Sequence, residues 1–287
     1  MSEVEHVLAA RNQLGEGALW SVDEQALYWV DIERNTFSRF LPATGVYETV
    51  DVGVPIGVLA LRSSGGLVMA TKKGFALWDK DTAELRYIIN PEFDKPHLRF
   101  NDGAVDSRGR FWAGSMGGRG EGTLYRLDPD DSVHIIIPGV TVPNGIGWSP
   151  DDTLMYFTDS GTRTIYAFDY DAVGGNVINR RTFVKTSEEI GTPDGLVVDR
   201  EGYIWSACWD GAKIVRYTPT GTIDRIIPVP APRPTSCVFG GPTMDELYIT
   251  SATTGLNEEQ LKQYPLSGDI FRLKVDVKGR EKFKFGG

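Results

Sequence analysis

The sequence predicts an all-β protein, a six-bladed β-propeller with four antiparallel strands per blade and termini that share one blade, as a single domain over residues 1–287. Two observations carry that reading. A strand, polar turn, strand unit recurs at the spacing of a propeller blade, about 40–45 residues. Each copy is followed by a second pair of short alternating strands, so every unit supplies four.

The clearest copies are Ala104–Ala113 and Val197–Ala207, where a shift of 93 carries Asp106, Gly109 and Trp112 onto Asp199, Gly202 and Trp205. The same shift carries Asn101 onto Asp194, and a shift of 50 carries Asn144 and Ser149 onto Asp194 and Asp199. Glu16-Gly-Ala-Leu-Trp-Ser matches Asn144-Gly-Ile-Gly-Trp-Ser from 128 residues earlier. Weaker copies begin at Gly57 and Thr235, so the units start at 16, 57, 101, 144, 194 and 235. Second halves follow at Phe75, Thr123, Ile165, Ile214 and Ile270, each an alternating run closed by Asp, Gly or Pro. Glu3–Ala9 precedes the first unit, while Asp269–Val275 and Lys278–Phe285 follow the last start; together they are expected to complete one shared blade and leave no exposed sheet edge. Pro228–Pro234 reads as a rigid crossing between blades, and Asn257–Tyr264 as at most two helical turns in a loop. Trp20, Trp112, Trp148 and Trp205 share the repeat register and are expected to pack between blades.

Composition excludes several function classes. With 30 Lys+Arg against 39 Asp+Glu the formal net charge is -9, and no basic run exceeds two residues, so neither nucleic acid nor an anionic membrane is an expected partner. The N-terminus has no basic start and no apolar h-region, and no apolar stretch approaches the length of a span; the expectation is a soluble, unexported, cytoplasmic protein, monomeric as a closed propeller. Cys208 and Cys237 are the only cysteines, each inside an apolar run, and read as small buried thiols.

Chemistry enters through the repeat. Innermost strands line the channel of a propeller, so equivalent positions near their starts form a ring at one mouth. Four of the six carry oxygen ligands, namely Glu16, Asn101, Asn144 and Asp194, while Gly57 and Thr235 are small and leave that side open for a ligand. Each of the four precedes a glycine at once or within two residues, the pattern of a tight turn entering a buried strand. Two carboxylates and two amides match the charge and hardness of a divalent cation, and the absence of Cys and His at these positions argues against structural zinc. Asn and Asp before Gly are also common turn residues, but a turn does not call for Glu16. His6, His97 and His134 lie outside the ring, and no Ser/His/Asp triad assembles at equivalent positions. The glycine-rich run Gly114–Gly120 lies between strands, with no helix N-terminus to hold phosphate, and reads as a loop at the rim of the site.

Glu16 in Gly-Glu-Gly, Arg99-Phe-Asn-Asp-Gly, Pro143-Asn-Gly, Pro193-Asp-Gly and Thr235-Ser-Cys-x-Phe-Gly-Gly together resemble the SMP-30/gluconolactonase/luciferin-regenerating-enzyme family over essentially the whole chain. The resemblance implies a six-bladed propeller and a metal-dependent lactonase acting on sugar lactones, of gluconolactonase, xylonolactonase or arabinolactonase type. It puts the metal ligands on Glu16, Asn144 and Asp194, moves Asn101 beside the metal as a substrate contact, and makes Arg99 the arginine that binds substrate hydroxyls. The loop after Met116 carries further substrate contacts in the family, but here it is short and glycine-rich, which leaves Glu121 and Arg119 as its only charged candidates. Ca²⁺, Zn²⁺, Mg²⁺, Mn²⁺ and Fe²⁺ all suit such a site. With no histidine available, Asp194 is the expected general base. A related propeller esterase or phosphotriesterase, and a non-enzymatic metal-binding scaffold, are the alternatives.

Overall fold

The computed structural model describes residues 3–287, which form six four-stranded antiparallel sheets arranged as the blades of a propeller. The first five blades run consecutively from the inner strands Gly15–Ser21, Ile56–Leu61, Arg99–Val105, Pro143–Trp148 and Thr192–Val198 outward. In the sixth, the inner strand Pro234–Gly240 pairs with Glu246–Ser251, then Ile270–Lys274, and the outer place is taken by the N-terminal strand Glu5–Leu8. Closure therefore comes from backbone hydrogen bonds between the two ends of the chain.

Inner strands are buried along nearly their whole length, as in Pro143–Trp148, because a neighbouring inner strand stands on either side. Outer strands such as Val46–Asp51 are mostly exposed. That gradient is why inner segments read as continuous apolar and glycine runs and outer ones as polar alternation. Aromatic side chains fill the spaces between blades: Trp29, Trp112, Trp205, Phe75 and Phe111 are fully buried.

The repeat persists at the level of single hydrogen bonds. Trp112 Nε1 donates to Asp106 Oδ2 at 2.8 Å, and Trp205 Nε1 to Asp199 Oδ2 at 3.0 Å. Each carboxylate is fully buried and paired with an arginine, Arg110 at 2.6 Å in one blade and Arg216 at 2.8 Å in the other. Tyr170, from the next blade, also donates to Asp106. The 128-residue shift holds as well: Asp31 accepts from the backbone N–H groups of Gln13 and Leu14, and Asp159 from those of Thr141 and Val142. Both carboxylates fix the chain just before it enters an inner strand. The four tryptophans occupy two registers, since Trp20 and Trp148 end inner strands whereas Trp112 and Trp205 lie on second strands.

One terminal expectation is corrected. Lys278–Phe285 adds no strand to the shared blade; Glu5–Leu8 already occupies the outer edge. The segment instead crosses the mouth of the channel where the inner strands end, touching every blade. Gly279 N donates to Met244 O, Arg200 N to Lys278 O, Arg280 Nη1 to Ser149 O, Phe285 N to Leu61 O and Gly286 N to Gly109 O, while Lys284 pairs with Asp23. Phe285 is fully buried among the second and third blades. No helix among the described residues is long and apolar enough to cross a membrane.

Replacing Asp106 with alanine strands the buried Arg110 guanidinium and the Trp112 N–H together, at a cost of about 3–5 kcal/mol. In differential scanning fluorimetry the Asp106→Ala protein is expected to melt about 10 °C lower than the parent; a shift below about 2 °C would show that the pair contributes nothing net.

Candidate active site

The ring positions lie within the inner strands, as second or third residues, and not in turns ahead of them. At this point every blade breaks register: between Glu16 and Leu19, Ile56 and Val58, Phe100 and Gly103, Pro143 and Ile146, Pro193 and Leu196, and Pro234 and Cys237. A β-bulge puts two residues opposite one and re-aims the side chains, which turns them toward the channel mouth. This bulge explains the glycines better than a turn does. Gly17 has φ +59°, but at Gly145 φ is ordinary and a Cβ would sit 2.4 Å from the backbone N of Leu196 in the next inner strand. Close approach of neighbouring strands, more than left-handed backbone, excludes a side chain there.

The two small positions are not open space. A Cβ on Gly57 would lie 2.5 Å from the Phe100 carbonyl, so the third blade's backbone occupies that side. Thr235 is fully buried, donates to Gly15 O and shares a hydrogen bond with Thr250.

Glu16, Asn101, Asn144 and Asp194 are all buried, at 5%, 7%, 5% and 4% exposure. A hydrogen-bonded relay orients the amides. Arg99 Nη1 donates to Asn101 Oδ1 at 2.7 Å, Asn101 Nδ2 to Asn144 Oδ1 at 2.9 Å and to Pro143 O at 2.8 Å, and Asn144 Nδ2 to Ser160 Oγ at 2.8 Å. Ser160 Oγ in turn donates to Pro193 O beside Asp194. With its carbonyl engaged by Arg99, Asn101 has less to offer a cation than Asn144, whose Oδ1 keeps a second lone pair.

The carboxylates are left in tension. Burial raises the Glu16 pKa from its ordinary 4.5 to about 8, and the Asp102 charge adds to the shift. Asp194 is pushed well above the carboxylate range by burial first, then by the charges of Glu16 and Asp102. Asp194 Oδ1 is buried with no hydrogen-bond partner among the described residues. Asp102, raised by burial to about 6, completes a group of three acids that sense one another. Among the described residues no three His, Cys, Asp or Glu side chains stand close enough to ligate an ion by themselves. An oxygen-ligand cation site here needs more than carboxylates, and Glu16, Asn144 and Asp194 offer two carboxylates and an amide oxygen of the hard type such a cation takes.

Of the residues singled out from the sequence, Glu16, Asn101, Asn144 and Asp194 come together at one mouth, with Arg99 hydrogen-bonded to Asn101 and close enough for its charge to act on Glu16. Glu121 is not in their network. It sits in the loop between Phe111–Met116 and Gly122–Leu127, half-exposed, with its carboxylate 2.9 Å from His97 Nε2. Met116 pairs with Arg99, so that loop stands at the rim of the same mouth. Sequence reasoning missed Asp102 and Ser160. Asp102 is visible in the Asn-Asp-Gly motif but reads as a turn residue until the bulge is known; Ser160 lies on a short 3-10 turn outside the ring and carries no signal.

Comparison with known proteins gives one family and one fold. The family model described as SMP-30/Gluconolactonase/LRE-like region matches residues 14–253. The chain is 37% identical to regucalcin of Xenopus laevis over 99% of both chains. It is 38% identical to pentonolactonase XacC of Haloferax volcanii, over 98% of this chain and 97% of that one. A solved structure described as a calcium-binding protein, regucalcin, from Agrobacterium tumefaciens superposes with a TM-score of 0.95 at 28% identity, over 99% of this chain and 97% of that one.

Raised carboxylate pKa values have a measurable sign. Between about pH 4.5 and 8 the folded, chelator-stripped protein holds protons on Glu16 that the unfolded chain has released, so its stability falls as pH rises through that window. The expected loss is ~3–4 kcal/mol, or ~10 °C in melting temperature from pH 5 to pH 8. Excess divalent cation should flatten the profile, and Asp194→Asn should reduce its slope; a stripped protein that gains stability toward pH 8 would contradict the buried-acid picture.

Proposed function

This chain belongs to the SMP-30/gluconolactonase/LRE-like family, and on that premise we propose that it is a divalent-metal-dependent lactonase that opens a sugar lactone to its aldonic acid. The observation that carries the reading is the partnerless buried Asp194 Oδ1 between two further acids. A buried carboxylate without a donor costs stability unless a ligand satisfies it. The relatives named as a pentonolactonase and a calcium-binding protein supply the two halves of the proposal, lactone and cation.

Glu16, Asn144 and Asp194 would hold the cation, with Ca²⁺, Mg²⁺, Mn²⁺, Zn²⁺ and Fe²⁺ as candidates. When bound, it would keep both carboxylates ionised, polarise the lactone carbonyl and acidify an adjacent water. The remaining chemistry belongs to the chain. Asp194 accepts the proton of the attacking water through the carboxylate oxygen that the cation leaves free, and returns it to the ring oxygen as the acyl C–O bond breaks. Arg99 and Asn101 bind the polyol hydroxyls and hold the carbonyl in line, supplying proximity and substrate preference. Glu121, on the rim, contacts the distal hydroxyls once His97 releases it. The relay through Asn144 and Ser160 keeps the amide from rotating away between turnovers.

The test is proton release from a panel of γ- and δ-aldonolactones by chelator-stripped protein, supplied with each cation in turn and compared with spontaneous opening. Cation-restored turnover is the expected result; no acceleration by any ion would overturn the assignment. Asp194→Asn is expected to lower kcat by about 10²–10⁴-fold with the fold intact. Arg99→Met should act mainly on KM, raising it about tenfold, since the residue binds ground and transition states alike; a loss confined to kcat would place Arg99 in the chemistry instead.

A further inference from the structure

The C-terminal segment that crosses the far mouth also reaches inward. Between it and the ring lies a cavity of about 40 Å³, lined among others by Gly17, Val58, Asp102, Ser236, Cys237 and Lys282. That is room for a water or two, with polar groups to hold them. Lys282 is half-buried, and desolvation of its ammonium lowers its pKa, while the Asp102 carboxylate opposes that change by favouring the charged form. Asp102 feels Lys282 reciprocally. The neighbouring Lys284 is the lysine of this segment that pairs with a carboxylate, Asp23, whereas the charges acting on Lys282 are those of Asp102 and, from its own segment, Arg280. A lysine so placed acts by its charge.

We propose that Lys282 is an electrostatic positioning residue for the ring, a fixed positive charge supplied from beneath by the C-terminal segment, which offsets Asp102 and so sets how tightly Glu16, Asn144 and Asp194 hold a divalent cation. The inference rests on the reading of those three residues as a cation site. Glu16, Asp102 and Asp194 carry three negative charges when ionised, one more than a divalent cation cancels. The Lys282 ammonium offsets that extra charge in the cation-free ring, so the ring attracts a cation less strongly than three uncompensated carboxylates would. Its anchoring explains how it keeps that place: hydrogen bonds on both sides of it, at Gly279 and at Phe285, fasten the segment to opposite blades. Because the ammonium repels a cation in the ring while it neutralises Asp102, it also prevents binding so tight that exchange would stop.

The experiment is isothermal titration of Ca²⁺ and of Mn²⁺ into chelator-stripped wild-type, Lys282→Met, Lys282→Gln and Lys282→Arg proteins, with the melting temperature of each recorded with and without cation. The expected result is Kd about tenfold lower in both neutral variants, a larger rise in melting temperature on cation addition than in wild type, and near-wild-type values in Lys282→Arg. A purely structural role would instead weaken cation binding and lower the melting temperature of both forms equally, and that result, or an unchanged Kd in folded Lys282→Gln, would overturn the inference while leaving the cation site standing. Failure of the wild-type protein to bind either cation would remove both.

Discussion

Six inner strands converge on one axis, and the distance between their backbones at the bulge is the constraint on which the rest depends. There is no room for a Cβ at Gly57 or Gly145, where the neighbouring strand's main chain lies about where the side chain would begin. Packing this close forces glycine at Gly145 and Gly195, beside Asn144 and Asp194, whereas Gly17 beside Glu16 answers to its positive φ; the same packing removes water from the ring. The same geometry that closes the propeller thus produces a buried cluster of acids and amides. A sheet edge or a surface turn could carry the same residues without consequence, since solvent would satisfy each of them.

Electrostatics then divides the molecule into two kinds of buried carboxylate. Asp106 and Asp199 are fully buried and each is met by an arginine and a tryptophan N–H, so they act as fasteners. Asp194 has the same burial and the opposite surroundings: two other acids and an oxygen with no donor. Burial alone therefore says nothing about role. What separates structural from functional acids in this chain is whether the protein supplies the counter-charge itself or leaves it to be supplied from outside.

Much of this was legible in the sequence because repetition writes the same physical solution several times. The 93-residue shift found Asp106 and Asp199 as letters; in three dimensions they are the same hydrogen bond to Trp112 and Trp205. The ring was found in the same way, from Glu16, Asn101, Asn144 and Asp194 in register. What was not legible occurs once. Ser160 orients Asn144 from outside the register, and Lys278–Phe285 looks like a strand by alternation yet finds the outer edge already filled by Glu5–Leu8. The bulge was hidden for a different reason: inserting one residue into a pairing leaves the strand's own composition unchanged, so the glycines were legible but their cause was not.

Unequal use of equivalent positions is where the fold gives way to function. Six blades offer six comparable sites, and two of them, Gly57 and Thr235, are given over to backbone packing and to a hydroxyl that links the last blade to the first through Gly15. A ring of six acids at this spacing would repel itself open; a ring of six glycines would bind nothing. Gly57 and Thr235 flank Glu16 on the first blade and set it apart, Asn101, Asn144 and Asp194 follow one another on three consecutive blades, and the Arg99–Asn101–Asn144–Ser160 relay runs in a single direction across the third and fourth blades toward the fifth. On the lactonase proposal, that polarity would give a sugar lactone one way to lie, hydroxyls toward Arg99 and carbonyl toward Asp194. Symmetry of the scaffold fixes the distances, and the one-way relay across two of its blades gives the ring a direction.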